Sequence, residues 1–215
     1  LNASQMTQLS SAQLRMLGTE QVSVIAPGNL GLMTANIVHL SSEQISVLSG
    51  AQVAELSAGQ LSVLSVAQLQ SIATGVFVGL RTVQLSGMTT QAVLRLSTAQ
   101  IASLGSDQVR SLTTMQLAGM SAQISAMETR DIGALTTAQV ARLTTQVLGK
   151  LETSQIGALG TAQVRSLGVA QLGALSSVQW SAMETADVAA LNASQMTQLS
   201  SAQLRMLGTE QVSVI

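Results

Sequence analysis

The chain has 215 residues, 47% apolar and only 9% charged, with nine Lys and Arg set against ten Asp and Glu, where average soluble proteins carry roughly 25% charge. A net charge of −1 with no basic stripe counts against nucleic acid as a partner, because binding a polyanion draws its strength from counterion release. The absence of cysteine removes a disulfide framework, a thiol nucleophile and a Cys-ligated metal, and one Phe, one Trp and no Tyr leave a core of Leu, Val, Ile, Met and Ala, thin and regular rather than thick.

The first 25 residues, LNASQMTQLSSAQLRMLGTEQVSVI, display the unit from which the chain is built. Leu1, Leu9, Leu17 and Ile25 recur every eight residues; Gln5, Gln13 and Gln21 occupy position 5, and Met6, Leu14 and Val22 position 6. One continuous helix cannot use this period, since at about 100° per residue its apolar stripe would rotate by roughly 80° per unit. A strand would put positions 1 and 6 on opposite faces. A helix that starts anew in every unit fits. With position 2 as N-cap, its side chain accepts from the backbone N–H of position 5, and the position 5 Gln accepts from the cap's own N–H, forming a capping box. Positions 1 and 6 are then N′ and N4, the two members of a hydrophobic staple.

Farther along, Ala26-Pro27-Gly28-Asn29 keeps the frame, with Pro27 at N1, where proline is tolerated, and Asn29 in place of Gln. The next unit, residues 33–39, is one residue short and ends in His39, the only histidine. It lacks partners for a metal site or a Ser-His-Asp arrangement and is expected to be solvated or packed in a corner. Ten octads follow to residue 119, with Phe77 at position 6; the greasiest stretch, Gly75–Leu80, is too short to span a bilayer. Residues 120–126 form the second shortened unit, and a missing residue in either is expected to shift coil register, producing a bend or a docking point. Eight octads then run to residue 190, with Trp180 at position 6 expected in a core or groove. Residues 191–215 repeat 1–25 without change, so 1–190 is one full block of 24 units and 191–215 starts the next. A chain that opens at Leu1 without Met is expected to be a segment of a longer array.

Across the 27 complete units position 1 is always Leu, Ile or Met, and 19 of the 25 octads carry Gln at position 5. Nine of the ten acids sit at positions 2, 4 or 5 and seven of the nine bases at positions 7 or 8, the polarity that a helix dipole renewed in every unit favours. Helices of about six residues cannot persist alone, given the cost of nucleation. The expected fold is therefore an all-α, elongated solenoid of short helices, one per octapeptide, with three or four octads per coil and positions 1 and 6 in a continuous core.

Ser and Thr are accounted for as caps, no G-x-S-x-G elbow occurs, and Gly28, Gly31, Gly157 and Gly160 lack the spacing of a phosphate-binding loop. No catalytic, cofactor-binding or metal-ligating residue is assigned, no cofactor is implied, and the chain is not expected to be an enzyme.

LTTAQVAR, LSTAQIAS and LGTAQVRS resemble the AQV-type octapeptide arrays of very large, repetitive, often adhesin-like surface or secreted proteins of Gram-negative bacteria. LGTEQVSVI also looks like the opening helix of a transcription-activator-like effector repeat. That family repeats at about four times this period and carries base-reading residue pairs, which are missing here. The first resemblance implies an extracellular or cell-surface location and a structural role as spacer, stalk or filament, with other copies of the repeat as partners through end-to-end or lateral packing. The alternative is a surface-binding module whose exterior Ser, Thr and Gln rows recognise a glycan, ice or another cell-surface component.

Overall fold

An N-cap in every unit does start a helix in every unit. The computed structural model describes residues 2–197 and 199–214; Leu1, position 1 of the first unit, and Ile215 lie outside them. Among the described residues there are 25 α-helices of four to six residues and two 3-10 helices, and no strand. The α-helices coincide with the 25 octads and the 3-10 helices, Thr34–His39 and Ile124–Ala126, with the two shortened units. At Ser41 the whole capping box is formed: Ser41 Oγ accepts from Gln44 N at 3.1 Å and Gln44 Oε1 accepts from Ser41 N at 2.7 Å. Where the cap is Gly160 only the second half remains, Gly160 N donating to Gln163 Oε1 at 2.7 Å. Many helices end directly on an extended Leu or Ile, such as Leu64, Ile72, Leu112 and Leu167, which turns the chain into the next cap. The corners therefore need no left-handed glycine, and among the described residues no glycine has a positive φ.

The chain divides into two compact units, Leu1–Leu112 and Thr113–Ile215. In the inner coils of each, positions 1 and 6 are buried, as in Leu56 and Leu61 or Leu159 and Val164, and a position 5 Gln is buried with them, as in Gln60 and Gln163. In the first unit the helix Ser42–Ser46 packs on Val66–Ser71, and in the second Ser177–Ser181 packs on Ser201–Met206; each partner lies three octads on. Side-chain bonds reach farther back, to the helix four octads earlier: Gln100, for example, donates to Leu69 O and Ile72 O, 31 and 28 residues away. One coil thus takes between three and four octads. The helix-on-helix contacts run at three octads, and the position 5 amide adds a tie to the end of the helix four octads earlier.

The shortened units lose their residue from positions 2–4, on the solvent side, so Ile37 and Ile124 remain fully buried. Their tighter winding fits the shorter length, since a 3-10 helix climbs about 2.0 Å per residue against about 1.5 Å in an α-helix. In the first unit Gln44 still reaches Leu14 O and Leu17 O, at 30 and 27 residues in place of 31 and 28. The deficit is absorbed within one coil and the inter-coil bonds continue across it. Thr34 carries the strain: its φ of 48° is the only positive value at a non-glycine among the described residues.

Coils approach closely at three of the position 7 glycines, Gly31, Gly133 and Gly157. A Cβ placed on Gly157 falls 2.9 Å from Ala182 O, and one on Gly133 falls 2.8 Å from Ala158 O. In both cases the obstacle is backbone of the helix three octads on, which cannot swing aside. Gly157→Val is expected to force the coils apart and lower stability by about 1–3 kcal/mol, the usual cost of overpacking. Gly50→Ala, at an exposed position where the added methyl would meet nothing within 4 Å, is expected to be tolerated. Urea denaturation followed by circular dichroism measures both.

Candidate functional site

The side chain that organises each unit is the position 5 Gln, and it works in two directions. Its Oε1 closes the capping box of its own helix, while its Nε2 points to the preceding coil and donates to carbonyls at the end of an earlier helix, in the main that of the next position 1 residue and that of position 6, which also accepts from the position 1 N–H. In the first unit Gln44, Gln52, Gln60, Gln68, Gln84, Gln100 and Gln108 all do this; Gln84 Nε2, for example, lies 2.9 Å from Val53 O and 2.6 Å from Leu56 O. In the second, Gln155, Gln163, Gln171, Gln179, Gln195, Gln203 and Gln211 repeat the pattern, with Gln179 Nε2 at 2.9 Å from both Leu148 O and Leu151 O. Burying a primary amide is tolerable because its acceptor and its donor are both used.

The sequence carried a signal for this second role. A capping box admits Glu as readily as Gln, and the helix dipole favours Glu in the first turn. Yet position 5 contains 19 Gln and not one Glu. A carboxylate would serve the cap but has no proton for the carbonyls of the neighbouring coil, so the preference for Gln marks a required donor.

At one unit that lacks Gln, its tasks pass to other residues. Ala92 stands at position 5 of the unit that starts at Met88; there the Thr89 N–H donates across the coil to Ser62 Oγ at 3.0 Å, and Leu64 O, 28 residues before Ala92, accepts from Arg95 Nη1 at 3.3 Å. Asp187 is less well compensated. It is buried and its Oδ1 accepts from Thr161 Oγ1 at 2.8 Å, but its Oδ2 has no hydrogen-bond partner. The Leu159 carbonyl, 28 residues back, receives no donor among the described residues.

Outside this ladder the residues singled out from sequence fall into ordinary positions. Trp180 is fully buried and its Nε1 donates to Leu172 O at 3.2 Å, which places it in the core and away from any ligand-stacking surface. His39 is half-buried at the end of its 3-10 helix. Exposed Ser, Thr and Ala at positions 2–4 cap the helices, and acids gather at the starts of adjacent helices in the second unit: Glu128 and Glu152 line one shallow depression, Glu184 and Glu210 another. Arg130 Nε lies 3.1 Å from Glu128 Oε2. Among the described residues no three His, Asp or Glu converge on a common point, and no helix is long and apolar enough to cross a membrane.

A family model described as ALTTAQ repeat matches residues 77–114, 94–122, 148–183 and 180–214, which together cover more than half of the chain. No curated protein matches it.

Replacing Gln100 by Leu leaves the Ser97 N–H and the Ile72 carbonyl without a partner and takes from the Leu69 carbonyl one of its two donors, the other being Ile72 N at 3.2 Å; it is expected to cost roughly 2–3 kcal/mol. Gln13→Leu, in a helix whose Gln is exposed and bonded only within its own capping box, is expected to cost about 1 kcal/mol. Asp187→Gln restores both missing functions and is expected to raise stability by about 1–2 kcal/mol. Urea titrations of the three variants against the parent chain check the order, and equal losses for Gln100→Leu and Gln13→Leu would contradict the ladder's role.

Proposed function

The chain belongs to the ALTTAQ repeat family, and on that premise we propose that it is a structural repeat protein of a bacterial surface, a spacer or stalk whose function is to supply length. One observation carries this reading: the bonds that join one coil to the next are made by the same residue, the position 5 Gln, in unit after unit of both halves, and 1–25 recur unchanged as 191–215, so the pattern can be extended by whole blocks without a change of register. Stability in such arrays is close to a sum of unit and nearest-neighbour contributions. Added blocks therefore lengthen the structure without demanding a new core. The outer positions, mostly small Ser, Thr, Ala and Gly, suit a role in which the exterior is a neutral shaft. An extracellular location is supported by the resemblance of the octads to those of surface and secreted arrays.

Tandem proteins of one, two and three 190-residue blocks, imaged by electron microscopy, are expected to lengthen by an equal increment per block at constant width; particles that widen instead would refute the spacer role. Protease treatment of intact cells making the parent protein tests location: repeats that are cleaved only after lysis would count against a surface position.

A further inference from the structure

Asp187 is a buried carboxylate that the glutamine ladder does not explain. It is 2% exposed, its Oδ1 accepts from Thr161 Oγ1 at 2.8 Å, and its Oδ2 has no hydrogen-bond partner. Thr161 lies two residues beyond Leu159, so this bond holds the carboxylate against the carbonyls at the end of the helix Thr153–Gly157. In neighbouring units such carbonyls are reached by an amide nitrogen. Gln171 Nε2 lies 3.1 Å from Val140 O and 2.7 Å from Leu143 O, and Gln179 Nε2 lies 2.9 Å from both Leu148 O and Leu151 O. The equivalents for Asp187 are Ile156 O and Leu159 O. Ile156 O accepts from Leu159 N at 3.1 Å, and Leu159 O accepts from nothing among the described residues. A Gln at position 5 brings two protons to this point. Asp brings none and is one methylene shorter, so three oxygens face the place where the other units hold a donor. Burying a carboxylate among carbonyl dipoles is costly unless positive charge is supplied, and the end of a helix is already negative.

The other Asp at position 5 shows how that charge is supplied from within the chain. Units 127–134 (METRDIGA) and 183–190 (METADVAA) share Met, Glu, Thr and Asp at positions 1, 2, 3 and 5. Position 4 differs. In the first, Arg130 Nε lies 3.6 Å from Asp131 Oδ1 and 3.1 Å from Glu128 Oε2, which brings a guanidinium to the buried carboxylate. In the second, position 4 is Ala186, and among the described residues no Lys, Arg or His pairs with Asp187.

We propose that the carboxylate of Asp187, with the carbonyls of Leu159 and Ile156, binds a monovalent alkali cation from solution, which does for residues 183–190 what Arg130 does for residues 127–134. An all-oxygen set is the chemistry of hard cations. One carboxylate among neutral carbonyls matches a single positive charge, and main-chain carbonyls are the ligands that replace the water shell of potassium in selective channels. Calcium takes about six to eight oxygens and magnesium a near-ideal octahedron, which one buried carboxylate and two carbonyls do not provide. The ion ties Asp187 to the end of the helix four octads earlier, as a Gln amide does in other units.

Trp180, the only Trp, is buried in the helix Ser177–Ser181 that precedes Asp187, so its fluorescence follows unfolding of this part of the chain. Thermal unfolding of the 215-residue chain, read by this signal in potassium, sodium and choline chloride at equal ionic strength, tests the site. Choline carries the same charge but is too large to enter. With the alkali ion about tenfold above its dissociation constant, the midpoint is expected to be roughly 3–6 °C higher than in choline chloride. Two variants are expected to abolish that difference. Asp187→Gln removes the charge and supplies its own donor; Ala186→Arg places, at an exposed position, the guanidinium that Arg130 gives to Asp131. If Asp187→Gln does not fold, Ala186→Arg carries the comparison alone. A parent midpoint equal in all three salts, or an alkali effect that survives in the variants, would overturn the site. So would a midpoint that ignores the cation but rises on acidification, since a proton would then supply the charge.

Discussion

The structure depends on one amide. A helix of four to six residues has almost no backbone group that it can satisfy alone, because its first N–H groups and last carbonyls lack intrahelical partners. A chain made only of such helices would carry an intolerable number of unpaired polar groups beside its core. The position 5 Gln answers both deficits with one planar group, its oxygen taking an N–H at the start of its own helix and its nitrogen reaching carbonyls at the end of another. Gln52 shows the full arrangement: Oε1 on Ser49 N at 2.8 Å, and Nε2 on Val22 O at 3.0 Å and Ile25 O at 2.9 Å. Since the amide is rigid and buried, the geometry of the cap and the distance to the preceding coil are set together. Local structure and stacking are consequently coupled, and neither is complete without the other.

That coupling explains how much of the fold could be read from the residues and where the reading stopped. Caps, staples and the one-helix-per-octad rule are short-range, and Ser41, Gln44 and Ile45 declare them within five residues. The core at positions 1 and 6 follows from the same frame. What escaped is what depends on a second coil: that Gln44 is buried, that its amide nitrogen has a partner 30 residues away, and that this tie runs one octad beyond the helix on which its own helix packs. The absence of Glu from position 5 was a legible hint of a required donor, but which carbonyl it serves follows only from three-dimensional register. The shortened units are a similar case. Their missing residues pointed to a disturbed register, whereas at residues 33–39 the switch from α to 3-10 winding, with a positive φ at Thr34, lets the inter-coil bonds continue.

Exceptions show which requirement is strict. At Ala92 the Gln is lost but a hydroxyl and a guanidinium from neighbouring positions cover both vacated groups, so the demand is for hydrogen bonds and not for a particular side chain. At Asp187 the replacement is only partial, and an unpartnered carboxylate oxygen remains in the interior. A repeat array tolerates such a weak point because its neighbours on both sides are independently complete.

Packing at three octads with a tie at four also has a mechanical consequence. Each helix rests on one helix of the course beneath it and is bonded to the end of the one before, in the manner of bricks laid in running bond, so no straight seam passes through successive courses of either unit. A sliding force on one layer must then push every helix up over the crest of its neighbour before any amide bond is released, and it meets all of those bonds at once. Resistance to shear is in this way distributed along the wall of each unit, so that a flaw such as Asp187 is bridged by the bonds of the courses on either side.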